Sequence, residues 1–320
     1  MSNFNSELFL EPKVKQYGSH MVMTNVHKTN KTKYINLDTK FRDEYSNNDL
    51  VNYTITLPEK INDVKRISVK SMEIPMTMYN ISSALGNNYF KISNVSQDVS
   101  YMITIPDGEY DNASLITTIN NAIAATDPFI NYLKLSLDSK NYVSFYRSTY
   151  SGANIPEEDY NITVDFAVDK LGNFDKYNFK SKLGWILGFR NLSYTIINNF
   201  VDNLPIYTKA EAFIYLKGTK YLYLAIDEYS KNNPNSFITL LPNSFVNKSV
   251  IARISLDKTN YGFNTILPAN LYNGLLISDN RNYTGKIDIQ KLNIQLLNDI
   301  GIPVSLNGMD FSLCLEVEYE

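Results

Sequence analysis

Over the last ten residues the hydrophobic and polar positions alternate without interruption. Phe311, Leu313, Leu315, Val317 and Tyr319 are apolar or aromatic, whereas Ser312, Cys314, Glu316, Glu318 and Glu320 are polar or small. A period of two belongs to a strand with one buried face, so the odd side is expected in the core and the even side in water. The segment expected beside it, Tyr283 to Leu297, carries Ile287 and Ile289 in one parity and Leu292, Ile294 and Leu296 in the other. That change of parity predicts a β-bulge near Gln290-Lys291. A turn holding Gly301, Pro303 and Asn307-Gly308 would then close Arg281 to Glu320 into one long hairpin. Burying five side chains at about 2 kcal/mol each is comparable, as a gross figure, with the net stability of a domain. The fold is therefore expected to depend on this segment.

Upstream, Val51 to Leu57 alternates cleanly and Pro58 is expected to end it, because proline has no ladder donor. Val64 to Ile74 carries Ile67 and Val69 in one parity and Met72 and Ile74 in the other, which predicts a second bulge at Lys70-Ser71. Strands are further expected at Tyr89–Ile92, Tyr101–Ile105, Tyr132–Leu137, Tyr142–Tyr146, Ile162–Val168, Tyr221–Ile226, Ser236–Leu241, Val250–Leu256 and Asn264–Leu267. Pro106-Asp107-Gly108 fits a type I turn. The period changes once. Leu115, Ile116, Ile119, Ala122 and Ile123 fall on one helical face after Asn112, a candidate N-cap, and Asp127-Pro128 ends the run. In Lys182 to Arg190 two glycines flank three large apolar residues, so a short bent or helical segment is expected there, with Trp185 in the core.

Residues 1–33 have no sustained period, only the patches Leu8-Phe9-Leu10 and Met21-Val22-Met23. Between Glu11 and Asp38 lie Lys13, Lys15, Lys28, Lys31 and Lys33 and no acid. The bland reading is a solvated terminus. The sharper one is an arm that orders on a neighbouring subunit, with Leu8, Phe9, Leu10, Met21, Val22 and Met23 as anchors and Lys13 and Lys15 against acidic surface. Contact of this basic arm with nucleic acid or anionic lipid is the remaining alternative. The sequence thus divides into an arm, 1–33, and a folded part, 34–320, which is long enough for one large β domain or for two fused β subdomains meeting near 150–180.

Composition sharpens the class. With 24 Tyr and 16 Phe against a single Trp, strands are favoured over helices, and the chain is expected to be all-β with one helix across a sheet. A net charge of −3 argues against a surface that grips nucleic acid throughout. Cys314 is the only cysteine, so no intrachain disulfide and no cysteine-based zinc site can form, in keeping with a reducing compartment. No apolar run reaches the ~20 residues of a membrane span and no signal-peptide pattern opens the chain, which predicts a soluble protein that is not exported by the standard route.

Chemistry is harder to find. Both histidines, His20 and His27, fall in the arm, where no base would be held for a triad. No phosphate-binding glycine loop, metalloprotease motif or paired-cysteine motif is present. Carboxylates remain: Glu157-Glu158-Asp159, Asp227-Glu228, and Glu316 with Glu318. Each group is expected on solvated surface, which ranks a carboxylate glycosidase third among the function classes.

The segments Ile35-Asn36-Leu37-Asp38-Thr39-Lys40-Phe41-Arg42-Asp43, Tyr53 to Pro58, Ser71-Met72-Glu73-Ile74-Pro75 and Gly86-Asn87-Asn88-Tyr89-Phe90 form the first part of an ordered series. Ile105 to Tyr110, Leu183 to Arg190, Tyr283-Thr284-Gly285 leading into Ile287 to Leu292, and Asn307 to Ser312 continue it. In their order and spacing these resemble the minor capsid proteins of the nucleocytoplasmic large DNA viruses, the giant-virus group. The resemblance covers Tyr34 to the C-terminus. It implies a jelly-roll-like β-sandwich, no enzyme activity, no cofactor or small-molecule substrate, and a place in the inner layer of an icosahedral shell. Implied partners are the major capsid protein, other minor capsid proteins and copies of the chain itself, within a virion assembled in the host cytoplasm. The rival reading from another class is a receptor- or glycan-binding β-sandwich domain of a virion spike.

Overall fold

The structure, a computed structural model, describes residues 29–44, 52–94, 98–128, 130, 132–148, 162–196, 200–201, 204–229 and 249–320. Strand β1 (Lys31–Asp38) is followed by β2 (Asn52–Pro75), β3 (Tyr89–Asn94), β4 (Val99–Thr104), helix α1 (Asn112–Thr126), β5 (Leu133–Leu137), β6 (Tyr142–Arg147) and β7 (Ile162–Asp165). Helix α2 (Leu183–Leu187) precedes β8 (Ser193–Ile196), the short β9 (Phe200–Val201) and β10 (Leu204–Pro205), and β11 (Thr208–Phe213). The chain returns with β12 (Tyr221–Asp227), β13 (Val250–Ser255), β14 (Ile266–Asn270), β15 (Leu276–Ser278), β16 (Arg281–Leu297) and β17 (Ser312–Tyr319). The result is an all-β, jelly-roll-like sandwich.

At 24 residues, β2 is the axis of the largest sheet, whose order is β1-β17-β2-β16-β12-β13-β15, with β14 also on β2. Alternation in β17 is as expected: Phe311, Leu313, Leu315 and Val317 are buried and the even positions are half-exposed. The long hairpin is not. β16 and β17 each pair with β2, which lies between them. Alternation reports which face of a strand is buried and says nothing of which strand lies beside it.

Both expected bulges are present. In β2 the register to β17 slips between Ser71 and Val69, leaving Lys70 as the extra residue. Along β16 it slips between Ile289, opposite Ile61, and Lys291, opposite Thr56. Residues 57–60 therefore bow out across from Gln290, and Pro58 sits in that bow, where no ladder donor is called for. That is why Pro58 does not end the strand and why two expected strands are one.

Two cores are nested in sequence. The first draws on Leu37 to Met76 and Leu222 to Val317, the second on Ile81 to Ile214. Among the described residues the cores change at the crossings between these segments, and β6 and α2, on either side of 150–180, share the second core. This core lies between a four-stranded sheet, β4-β3-β7-β8, and a three-stranded one, β11-β6-β5, with α1 packed on β4 and β5. The helix buries Leu115, Ile116, Ile119 and Ile123. Its N-cap is Asp111 and not Asn112: the Asp111 carboxylate accepts from Ser114 N–H at 2.7 Å while Ser114 Oγ takes the Asp111 N–H at 3.0 Å, a reciprocal capping box.

At the N-terminal side β1 already begins at Lys31, so Lys31 to Lys33, expected in the arm, are strand residues paired with Val317 to Tyr319. Leu8, Phe9, Leu10, Lys13, Lys15, Met21, Val22 and Met23 lie outside the described residues, as do His20, His27, Glu157-Glu158-Asp159 and the expected strand Ser236–Leu241. Among the described residues no helix is long and apolar enough to cross a membrane.

Candidate docking cleft between the two cores

The chain crosses between the cores twice, at Met78 to Asn80 and at Tyr215 to Lys220, and a cleft of about 560 Å³ opens where the crossings meet. Its far wall is α2. Leu183 and Leu187, one turn apart, are fully buried in the second core. Between them Gly184 lies so close to Phe166 that a Cβ would stand 2.3 Å from its ring. The helix stops at Gly188, in the left-handed region at φ +100°, where a Cβ would meet the Ala212 carbonyl oxygen at 2.0 Å. With the glycines against the core, Trp185 and Ile186 turn outward. Trp185, expected in the core, is therefore a half-buried wall of the cleft.

Cations gather on that wall. The Arg190 guanidinium lies 4.0 Å from the centre of the Trp185 ring, and its Nη1 donates to the carbonyls of Trp185 at 2.9 Å and Phe189 at 3.1 Å. Lys180 Nζ is 5.9 Å from the same ring, and Lys220 Nζ is 5.7 Å from the ring of Tyr215. Lys258 completes the set from the first core. Burial pushes its ammonium pKa down, against the pull of Glu109 and Asp299, and burial pushes both of those carboxyls up. Among the described residues none of the charged groups of Lys180, Arg190, Lys220 and Lys258 has a carboxylate within 4.0 Å, although the Arg190 backbone N–H donates to Glu211 Oε2 at 3.0 Å. On the largest sheet, by contrast, Lys60, Lys65, Arg66 and Lys70 are each ion-paired.

The expected carboxylate groups part company. Glu316 and Glu318 lie on the outer face of β17 and pair with Lys70 at 2.9 Å and Arg66 at 2.6 Å. Asp227 is exposed, but Glu228 is buried, its Oε2 2.8 Å from Nη1 of the fully buried Arg281. The solvated default fails for Glu228. Its partner comes 53 residues later, at the head of β16, beyond the reach of any local pattern. Among the described residues no group of three His, Cys, Asp or Glu is placed to hold a metal ion.

Several of the quoted motifs prove to be joints of the fold. Arg42 Nη1 and Thr39 Oγ1 both donate to Asp310 Oδ1 at 2.8 Å, fastening the end of β1 to the start of β17. Asn88 Nδ2 reaches the Ile105 carbonyl at 3.0 Å, and Asn87 Nδ2 the Asn80 carbonyl at 2.9 Å. Gly108 makes a two-way bridge with Ile81 and does not adopt positive φ. Its neighbour Asp107 accepts from Ser83 N and Ser83 Oγ at 2.8 Å each and from Asn88 Nδ2 at 3.1 Å. A residue read only as part of a turn is thus a three-way tie at the lip of the cleft. Asp107→Ala should cost about 1–2 kcal/mol in urea unfolding, with Asp107→Asn in between. A midpoint equal to wild type would show that the tie is idle.

These features define a jelly-roll-like β-sandwich with an inserted second core and a basic, aromatic cleft at their junction. No family model matches the chain, and no curated protein sequence matches it. Among solved structures it is similar to the mavirus penton protein, at 12% identity over 92% of this chain and 100% of that one, with a TM-score of 0.44. It is also similar to a chain of the Sputnik virophage structure, at 12% identity over 90% of this chain and 98% of that one, with a TM-score of 0.39. Likenesses of this degree carry no functional argument.

Proposed function

We propose that this chain is a structural subunit of a virus shell, a minor capsid protein that works by adhesion and has no catalytic role. One observation carries the reading: an apolar tip held in fixed shape and turned to solvent. Leu171, Phe174 and Tyr177 are 82%, 71% and 72% exposed. Their loop is nevertheless tied down. Asp169 Oδ1 accepts from Leu171 N at 2.8 Å and Asn173 N at 2.9 Å, Val168 bridges to Phe174, and Lys182 Nζ pairs with Asp175 at 2.7 Å. A preorganised tip of large apolar groups loses little entropy on docking, which suits a contact between subunits. The motif resemblance to giant-virus minor capsid proteins supports the same reading, since its residues serve the fold at Arg42, Asp107, Gly184, Gly188 and Asp310.

In this reading the partners are the major capsid protein, other minor capsid proteins and copies of the chain, in a virion assembled in the host cytoplasm. The arm supplies a second contact through Leu8, Phe9, Leu10, Met21, Val22 and Met23, with Lys13 and Lys15 beside acidic groups. Because β1 starts at Lys31, the test deletes residues 1–28 and leaves the sheet intact. The truncated protein should melt within about 2 °C of wild type, a shift of no more than about 1 kcal/mol for a large domain, and should fail to enter particles. Incorporation at normal copy number would remove the arm from the proposal.

A further inference from the structure

We infer that the cleft between the cores is a docking groove for an extended, acidic, aromatic-bearing segment of a partner protein. The inference holds whether or not the assembly is a shell. Its shape is the first argument. The main cleft runs on through Met78, Tyr79 and Asn298 into a pocket of about 100 Å³ and through Met78 and Lys258 into one of about 70 Å³ beside Tyr261 and Phe263. A wide cleft with two narrow branches suits a chain that places one large side chain in the wide part and runs on into a branch.

Charge is the second argument. The charged groups of Lys180, Arg190, Lys220 and Lys258 face the wide part of the groove without a carboxylate within 4.0 Å among the described residues. Asp299 is the carboxylate lining that part, while Asp107 and Glu109 line the two narrow branches, so the occupant's own carboxylates belong in the wide part. An occupant with carboxylates would complete these cations as Glu316 and Glu318 complete Lys70 and Arg66 on the outer face of β17. The third argument concerns aromatic groups. Trp185, Phe213 and Tyr215 all line the wide end, with Phe213 and Tyr215 about half-exposed, so a tyrosine or phenylalanine of the occupant would meet ring faces on entering. An anionic sugar would use the cations and one ring, but it would leave the narrow branches empty.

Trp185 is the only tryptophan of the chain, which makes its emission a direct readout of the groove. The experiment titrates the full-length protein with a capped peptide of alternating glutamate and tyrosine residues, a lysine-tyrosine peptide of the same length, and a sulfated oligosaccharide. A saturable shift of Trp185 emission with the acidic peptide alone is expected, weakening with added salt. Lys180→Glu combined with Lys220→Glu should weaken binding at least about tenfold while the melting temperature stays near wild type. No response to the acidic peptide, an equal response to the basic one, or a tighter response to the sulfated sugar would each overturn the inference. So would undiminished binding by the double variant.

Discussion

Arg281→Met is expected to lower the free energy of unfolding by about 3–5 kcal/mol, because it leaves the Glu228 carboxylate buried without its counter-charge. Arg281 has no exposed surface, and its guanidinium joins three parts of the largest sheet. From β16, Nη1 donates to the Ile226 carbonyl and to Glu228 Oε2 at 2.8 Å each, and Nη2 donates to the Ser249 carbonyl at 2.8 Å. These contacts fix where β12 ends and β13 begins. The pair itself stabilises little, because desolvating two ions offsets most of their attraction. Glu228 Oε1 and Arg281 Nε have no hydrogen-bond partner among the described residues, and burial, with the neighbouring Glu228 carboxylate, drives the Tyr283 pKa upward. Arg281→Met together with Glu228→Leu should therefore recover most of the loss. Urea unfolding of the two single variants and the double settles it. A loss below about 1 kcal/mol for Arg281→Met, or a double variant no better than the worse single, would contradict this account.

The second large effect is expected at Gly188. A side chain there must adopt positive φ and also push its Cβ into the Ala212 carbonyl, 2.0 Å away. The oxygen cannot retreat cheaply, because β11 is held at this point by the Ala212 N–H donating to the Gly188 carbonyl at 3.0 Å. Gly188→Val should cost about 3 kcal/mol or more, the sum of a strained backbone and a clash. The damage should concentrate in the second core, where Phe145, Phe166, Phe189 and Tyr194 pack with ring centres 4.9–6.3 Å apart. Trp185 emission should accordingly respond at lower urea than the far-UV signal of the whole chain. Coincident transitions at the wild-type midpoint would show that α2 does not hold this core.

How far the sequence carried is visible element by element. The faces of β2, β16 and β17, both bulges and the buried stripe of α1 were legible, because each depends on a local period that burial enforces. Strand neighbours were not: β2 lies between β17 and β16, a pairing remote in sequence, and Pro58, read as a stop, hid the length of β2. The strands β8, β11 and β15 are short and alternate weakly, so their pattern never rose above that of a loop. In the cleft, Leu183 to Arg190 was marked as special by its two glycines. Large aromatic residues are usually buried, and that rule placed Trp185 inward. Instead the close approach of Gly184 to Phe166 takes the inward space and turns the indole out. Glu228 was assigned to solvent because its partner, Arg281, is remote in sequence. The lining cations, drawn from both cores, share no local pattern at all.

The central claim, that the chain is a building component of a particle, is tested most directly by a cryo-electron-microscopy reconstruction of the particle proposed to contain it. The account predicts density for both nested cores at a symmetry-fixed site inside the shell, with Leu171, Phe174 and Tyr177 covered by a neighbouring subunit. Absence of the chain from purified particles, or its presence only on outward spikes with that tip bare, would contradict it.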